Sequence, residues 1–337
     1  MRAPRFWWQP FRSLPASLLR PAGLVYSSLA TRRMLRQGEK ADLPVICIGN
    51  FTVGGAGKTP TALVVAHLLD ASGESPSFLS RGYGGRLRGP VQVRRKHTAL
   101  DVGDEPILLA ALARTIVSRD RPAGARLSYE MGSTVVIMDD GLQNPSLLKD
   151  CTIAVVDGAT GIGNGLTLPA GPLRAPMETQ WPLIDAVLLI GDGEPGRQVA
   201  EEAKRRDKRV FEARIVPAPD MAKVLEGKKV LAFAGIGRPD KFFDTLRGCG
   251  AIVESARPFP DHHRYKAGDL AALRQEAEAR GLQAVTTEKD LARIAGIADL
   301  HSWPDLMALP VRLQIENEVA LRNLLLRRIN DRRLRTA

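Results

Sequence analysis

The stretch VICIGNFTVGGAGKTPTALVVAHLL, Val45 to Leu69, constrains this chain more than any other part of it. Val45 to Ile48 is a short apolar run with β-branched residues, the pattern of a buried strand, and Pro60 to Leu69 has helical content after a glycine cluster. Strand, glycine loop and helix, in this order, form the setting in which backbone amides cradle a phosphate group. Gly54, Gly55 and Gly57 allow N–H groups to approach closely, the Lys58 ammonium can reach β- and γ-phosphates, and the Thr59 hydroxyl can ligate Mg2+ at a helix N-terminus. Pro60 suits the first turn, where N–H groups have no intrahelical partner. The strict pattern carries a glycine five residues before Gly57; Thr52 stands there, and Val53 and Ala56 fill the rest of the loop. Thr52 to Thr59 is therefore the expected cradle.

A phosphate loop works with an acidic strand end. TVVIMDDGLQN, Thr134 to Asn144, supplies an apolar run that ends in Asp139 and Asp140, either of which can hold Mg2+ or its water. DVGDEPILLA places Asp104 and Glu105 just before Pro106 and an apolar helix. This reads either as a helix start whose acids favour the dipole or as a base and a metal carboxylate at one site. FPDHHRY adds His262 and His263 on a loop, where adjacent side chains diverge, so a two-histidine metal site is not expected. SRGYGG follows a strand end and offers Arg81 and Tyr83 near the phosphate edge, while NGLTLPAGPLRAP, Asn164 to Pro176, is a long Pro/Gly loop with Arg174 as its cation.

At 337 residues and 44% hydrophobic composition, the chain has material for two α/β domains. Its net charge of +11 suits nucleic acid, a membrane surface or a polyanionic substrate. Location discriminates among these: Arg2, Arg5, Arg12, Arg20, Arg32, Arg33 and Arg36 precede Glu39, the first acidic residue, and Trp7, Phe11, Leu14 and Leu18 lie among them at helical spacing. The longest uncharged run there, Pro21 to Thr31, falls far short of the roughly 20 residues that span a bilayer. An interfacial, Arg-rich amphipathic helix on anionic lipid fits this composition. An aromatic content of 5% and the lack of a binding motif argue against nucleic acid. Cys47, Cys151 and Cys249 are widely spaced and read as reduced core residues rather than a disulfide framework.

Strand patterns recur between helical ones at Val45 to Ile48, Ser77 to Leu79, Thr134 to Met138, Thr152 to Val156 and Ala186 to Ile190, and again at Lys229 to Ala234, Ala251 to Val253 and Gln283 to Thr286. The expected fold class is α/β: a P-loop NTPase-like, doubly wound, mostly parallel sheet with a second, smaller α/β domain joined by a two-stranded linker. The expected division is a basic arm over 1–38, a phosphate-loop domain over 39–208, linker strands at 209–216 and 308–315, the smaller domain over 217–307, and a C-terminal helix over 316–337 that returns to the first domain.

Taken in order, GNFTVGGAGKTP, SRGYGG, VGDEPILLA, DDGLQ, LPAGPLR, FPDHH and TTEKD resemble the tetraacyldisaccharide 4′-kinase family over nearly the whole chain. The resemblance implies ATP and Mg2+ as cofactors. It also implies transfer of the γ-phosphate to the 4′-hydroxyl of a tetraacyl glucosamine disaccharide 1-phosphate, a lipid A precursor, at the cytoplasmic face of the inner membrane. No obligate protein partner is implied. By position, Lys58 and Thr59 hold phosphate and metal, Glu105 and Asp139 (with Asp140 beside it) belong to the metal shell, and Asp104 is the base partnered by His262. Arg81, Tyr83, Gln143, Asn164 and Arg174 are the candidates for touching the acceptor, and His263 has no role. Family members commonly read PAGPLREP, where this chain has Ala175, which puts an essential role for that glutamate in doubt here. A P-loop kinase with a soluble acceptor and a nucleotide-dependent membrane switch are the competing readings.

Overall fold

The computed structural model of the protein describes residues 4–9, 13–295 and 303–335. Thirteen strands follow one another among them: β1 (Val45–Gly49), β2 (Pro76–Ser80), β3 (Val91–Gln92), β4 (Thr115–Val117), β5 (Val135–Asp139), β6 (Cys151–Asp157), β7 (Ala186–Ile190), β8 (Arg209–Pro217), β9 (Lys229–Ala234), β10 (Ile252–Pro258), β11 (Gln283–Thr287), β12 (Met307–Leu309) and β13 (Val311–Ile315). Nine form one sheet in the order β13-β8-β7-β6-β1-β5-β2-β4-β3, and four form a second in the order β10-β9-β11-β12. The second sheet is wholly parallel. The first is parallel except at its two edges, where β3 pairs with β4 and β13 with β8.

The uninterrupted apolar runs in the sequence follow from burial on both faces. Along β1, β5, β6 and β7 alternate side chains point to opposite layers. Ile46, Ile48, Ile137, Ile153, Val155 and Leu188 face the helix Lys58–Asp70 and the C-terminal helix Glu318–Leu334, which meets them through Leu321, Leu324 and Leu325. On the opposite face, Ala154, Val156, Val187 and Leu189 meet Val199 and Ala203 of helix Glu194–Arg205, and Val136 and Met138 meet Ala125 of helix Arg121–Glu130. The small sheet repeats this arrangement. Val230, Ala232 and Ala234 face Phe242, Phe243 and Leu246, while Leu231 and Phe233 face Leu270, Leu273 and Tyr265.

Two expectations require correction. Ala308 to Ile315 is not one strand, because Pro310 lacks the N–H that a ladder needs. The chain breaks there, and β12 completes the small sheet while β13 pairs with β8 from Ile315↔Ala213 to Val311↔Pro217. The β8–β13 pair continues the large sheet, since β8 is hydrogen-bonded to β7 along Arg209 to Ala213. The spacing of Trp7, Phe11, Leu14 and Leu18 does not describe one helix. Trp7 belongs to a short 3-10 turn, Arg5–Trp8, the helix begins at Leu14 behind the Ser13 cap, and Phe11 lies outside the described residues.

The helix Leu14–Met34 docks through small residues. Gly23 lies so close to the loop over 164–179 that an added Cβ would sit 3.3 Å from the Thr167 carbonyl oxygen. Ser27 Oγ is 2.7 Å from Thr167 Oγ1 and Thr31 Oγ1 is 3.0 Å from Thr179 Oγ1. The opposite face presents Leu14, Leu18, Val25 and Leu29, each 60–75% exposed, in a stripe that ends at exposed Arg32 and Arg36. No helix among the described residues is long and apolar enough to cross a membrane.

Because Leu325 is fully buried between the returning helix and the sheet, Leu325→Ala leaves a cavity that this packing cannot collapse. The expected loss is about 2–5 kcal/mol of unfolding free energy, measured by urea denaturation with unchanged m-value.

Candidate active site

The site begins at the C-terminal end of β1, whose neighbours are β5 and β6 while its own connection crosses to β2. Such a change of direction opens a crevice above the sheet. The glycine loop turns there with Gly54 at φ 109° and Gly57 at φ 97°, the left-handed region that favours glycine. A Cβ on Gly57 would strike Ile190 Cδ1 at 2.5 Å, whereas one on Gly54 or Gly55 would meet open space. The loop is thus packed tightly below and free above, and the helix from Lys58 to Asp70 points its N-terminus into the free side.

Lys58 is buried and held from two directions, donating to Asn50 Oδ1 at 3.3 Å and lying 3.7 Å from Asp140 Oδ1. Asn50 in turn donates to the Gly54 carbonyl at 3.3 Å, so it couples the lysine to the loop. Asp140 sits at φ 54° in the turn after β5 and accepts a 2.7 Å hydrogen bond from Arg174 Nη1. Burial alone would raise its pKa, but Lys58 and Arg174 bring it below the usual carboxylate value. Asp139 differs. It is buried, its Oδ1 has no hydrogen-bond partner, and desolvation with the nearby charges of Glu105 and Asp140 pushes its carboxyl up to about 7.

The second lobe supplies the other wall. Helix Glu288–Ile294 packs on helix Asp104–Ala110, bringing Lys289 Nζ to 2.8 Å from Glu105 Oε1 and Arg293 Nε to 2.9 Å from Asp104 Oδ2. His262 Nδ1 is 3.5 Å from the same Asp104 oxygen. Burial favours the neutral Asp104 carboxyl, yet His262 and the positive charges of Arg293 and Lys289 hold it well below the carboxylate range. The contact with Asp104 raises the His262 pKa in return. Lys289 keeps Glu105 low as well. Tyr83 reaches across from the first lobe, its ring 5.4 Å from that of His262.

The structure therefore brings together Lys58, Asp104, Glu105, Asp139, Asp140, Arg174, His262 and Tyr83 in one cleft. Thr59 is buried at the helix N-terminus, and Gln143 donates to the Asn50 carbonyl at 2.7 Å and to Gln180 Oε1 at 2.8 Å beside Arg174. Arg81 is exposed. Asn164 is engaged elsewhere, donating to the Phe6 and Ala170 carbonyls while its backbone N–H binds the Trp7 carbonyl. His263 accordingly stands apart, with Nε2 3.0 Å from Asp269 and its ring stacked on Phe259. Ala175 is fully buried and its carbonyl accepts from Gln180.

Sequence reasoning missed Asn50, Lys289, Arg293 and Arg121. Arg121 is buried beneath the site, donating to the carbonyls of Leu79 at 3.2 Å and Asp139 at 3.3 Å. The signal for Lys289 and Arg293 was the four-residue spacing from the lysine of TTEKD to the next arginine, which puts both on one helix face.

The sequence profile of the tetraacyldisaccharide-1-P 4′-kinase family matches residues 15–330. The chain belongs to the tetraacyldisaccharide 4′-kinase family. It is thus a phosphotransferase of lipid A biosynthesis that uses ATP. It is 58% identical to the tetraacyldisaccharide 4′-kinase of Methylobacterium nodulans over 93% of this chain and 96% of that one. With the kinase of Rhodopseudomonas palustris it shares 48% identity over 99% of this chain and 98% of the other. The crystal structure of LpxK from Aquifex aeolicus in complex with ATP superposes with a TM-score of 0.72 at 27% identity, covering 93% of this chain and 99% of that chain.

The raised Asp139 pKa has a consequence for stability in metal-free, nucleotide-free protein. Its carboxyl titrates near 7 when folded and at about 4 when unfolded, so the folded state binds more protons between these values and loses stability as pH rises through them. Asp139→Asn should therefore melt higher than wild type in EDTA at about pH 8, with the gain fading toward about pH 4. Thermal unfolding at a series of pH values measures it.

Proposed function

We propose that this kinase phosphorylates the 4′-hydroxyl of a tetraacyl disaccharide 1-phosphate by in-line transfer, with Asp104 as general base, His262 orienting it, and Lys58 stabilising the transferred phosphoryl group. The observation that carries this reading is the meeting of the phosphate loop, the unpartnered Asp139 oxygen and the Asp104–His262 contact in one cleft. Phosphoryl transfer asks for positioning and charge neutralisation more than covalent help. Lys58 is held beside the loop for this by Asn50 and Asp140.

Mg2+ fits the residues present. No group of three acidic, histidine or cysteine side chains among the described residues is close enough to enclose a metal alone. That agrees with an ion held by one or two carboxylates, water and substrate phosphates. Asp139 is the better ligand of the two adjacent aspartates, since its free buried oxygen has unused acceptor capacity while Asp140 is engaged by Arg174 and Lys58. Thr59 and Glu105 would complete the protein's share, and an ion held there would supply positive charge against the phosphates during transfer.

Asp104 stays ionised at neutral pH because His262 and Arg293 favour its charged form, so it can receive the acceptor's proton as the new P–O bond forms and the bond from the γ-phosphorus to the departing ADP oxygen breaks. The small lobe comes near the loop, with a Cβ on Gly237 lying 3.8 Å from Gly55 N, and further approach with substrates bound would exclude the water that competes as acceptor. Arg174, Gln143, Tyr83 and Arg81 line the side from which the disaccharide enters. Asn164 contributes by fixing the loop that carries Arg174.

A positioned base contributes about 10²- to 10⁴-fold, so Asp104→Ala should lower kcat by that order with the KM for ATP little changed. The double variant Asp104→Ala/His262→Ala should be scarcely slower than Asp104→Ala, because the two act as one unit. Steady-state kinetics with labelled ATP and detergent-solubilised acceptor reads both; a wild-type kcat in folded Asp104→Ala would remove the base from this scheme.

The helix Leu14–Met34 supports peripheral attachment to the anionic inner-membrane surface at its cytoplasmic face. Its seat on the protein uses Gly23, Ser27 and Thr31, leaving the leucine and valine stripe with its arginines free for lipid. Leu18→Glu/Val25→Glu should abolish salt-sensitive co-sedimentation with anionic vesicles while leaving activity on detergent-dispersed acceptor intact. Equal binding by the variant would make the stripe irrelevant to attachment.

A further inference from the structure

Two cations of the small lobe enter the site from one helix face. In TTEKD the Thr287 hydroxyl caps the helix by accepting from the Asp290 N–H at 3.1 Å and donates to the Asp290 carboxylate at 2.7 Å. Asp290 also receives the Gly235 N–H at 3.0 Å and pairs with Arg293 Nη1 at 2.7 Å, while the Gly235 carbonyl accepts from Arg293 Nη1 at 2.7 Å and from the His262 N–H at 3.0 Å. One end of the Arg293 guanidinium is thereby locked within its own lobe, together with the backbone that carries His262. The other end, Nε and Nη2, reaches across to Asp104 Oδ2, with Nη2 also 3.3 Å from His262 Nδ1. Four residues earlier Lys289 reaches Glu105.

Adjacent acids meet cations one helical turn apart: Asp104 and Glu105 begin one helix, and Lys289 and Arg293 share the facing surface of the other. Arg293 and Asp104 are 8% and 6% exposed at their side chains, unlike the rim pair of Arg238 with Asp157, where Arg238 is 38% exposed. A buried pair is strongly sensitive to loss of one partner, because the other is left charged and unhydrated. The rigid guanidinium fork transmits position as well as charge.

We propose that Arg293 and Lys289 form a two-pronged clasp through which approach of the small lobe sets the Asp104–Glu105 pair in its working geometry, making both cations positioning residues for phosphoryl transfer. The proposal rests on the reading of Asp104 as the base. It explains why the two halves of the base apparatus, Asp104 on one lobe and His262 on the other, are bridged by a third group anchored to the second. Arg293 registers both, and Lys289 fixes the rotation of the helix that bears Asp104 and Glu105. An open cleft would then lack an aligned base, so ATP bound without closure would be spared hydrolysis.

The test uses the full chain with spin labels at Glu201→Cys and Lys223→Cys, exposed positions on the large and small lobes; the native cysteines are buried. Arg293→Gln and Lys289→Gln should each shift the nucleotide-free label distance toward longer values. Arg293→Gln should lower kcat by about 10- to 100-fold, the order that a small misplacement of a catalytic group produces, with the KM for ATP within about twofold. Arg293→Lys should restore the closed distance, since it keeps the charge, but recover no more than about a tenth of kcat, since an ammonium cannot span Gly235 and Asp104 together. An unchanged distance and kcat in folded Arg293→Gln, even with a lowered melting temperature, would reduce the contacts to static packing. An opened distance with full kcat would equally overturn the positioning role. Activity retained in Asp104→Ala would instead remove the base reading while leaving the distance result standing, which separates the two failures.

Discussion

Charge held away from water must be balanced where it sits, and this protein concentrates Asp104, Glu105, Asp139 and Asp140 with Lys58, Arg174, Lys289 and Arg293 in one cleft. Each carboxylate but one is matched by a cation or a hydrogen-bonding neighbour. Asp139 is the exception, and its unpartnered oxygen is the place where the arrangement is incomplete. The sheet, the two lobes and the docking helices are the scaffold that keeps this imbalance in a fixed position. Arg121 carries the same logic beneath the sheet edge, since a buried guanidinium reaching the carbonyl of Asp139 holds the strand end from which both aspartates project.

Ion pairs cross between the lobes. Lys289–Glu105 and Arg293–Asp104 lie inside, and Arg238 and Lys241 reach Asp157 at the rim. An apolar interface of comparable extent would favour one arrangement irrespective of what occupied the cleft. Ion pairs can be exchanged for pairs with phosphate or solvent, which suits a site whose contents change charge during each turnover. The break at Pro310 helps here, because β12 and β13 belong to different sheets and only a residue separates them.

Much of this was legible in the sequence, and the reason is physical. The phosphate loop, the acidic end of β5 and the buried strands are local patterns: glycine where the backbone needs positive φ or close approach, apolar runs where both faces are covered. The roles of Asp104 and His262 came from resemblance, since neither residue is distinctive until the lobes bring them within 3.5 Å. Lys289 and Arg293 were overlooked because an exposed-looking basic face on a short helix is indistinguishable from a solvated one before its partner is known. The single strand drawn through Pro310 failed for the opposite reason: hydrophobic pattern was trusted over the missing N–H. The helix drawn from Trp7 onward ignored that Ser13 begins a new cap.

The seat of the N-terminal helix carries a geometric implication. Its small residues rest on the loop over 164–179, and that same loop holds Arg174 against Asp140 beside the phosphate cradle. With the helix lying in the headgroup layer as proposed, the mouth of the cleft and the plane of the bilayer share one rim. An acylated sugar would then present its head without extracting its chains, and enzyme and acceptor would find each other by lateral diffusion in two dimensions. ATP alone would arrive from the third.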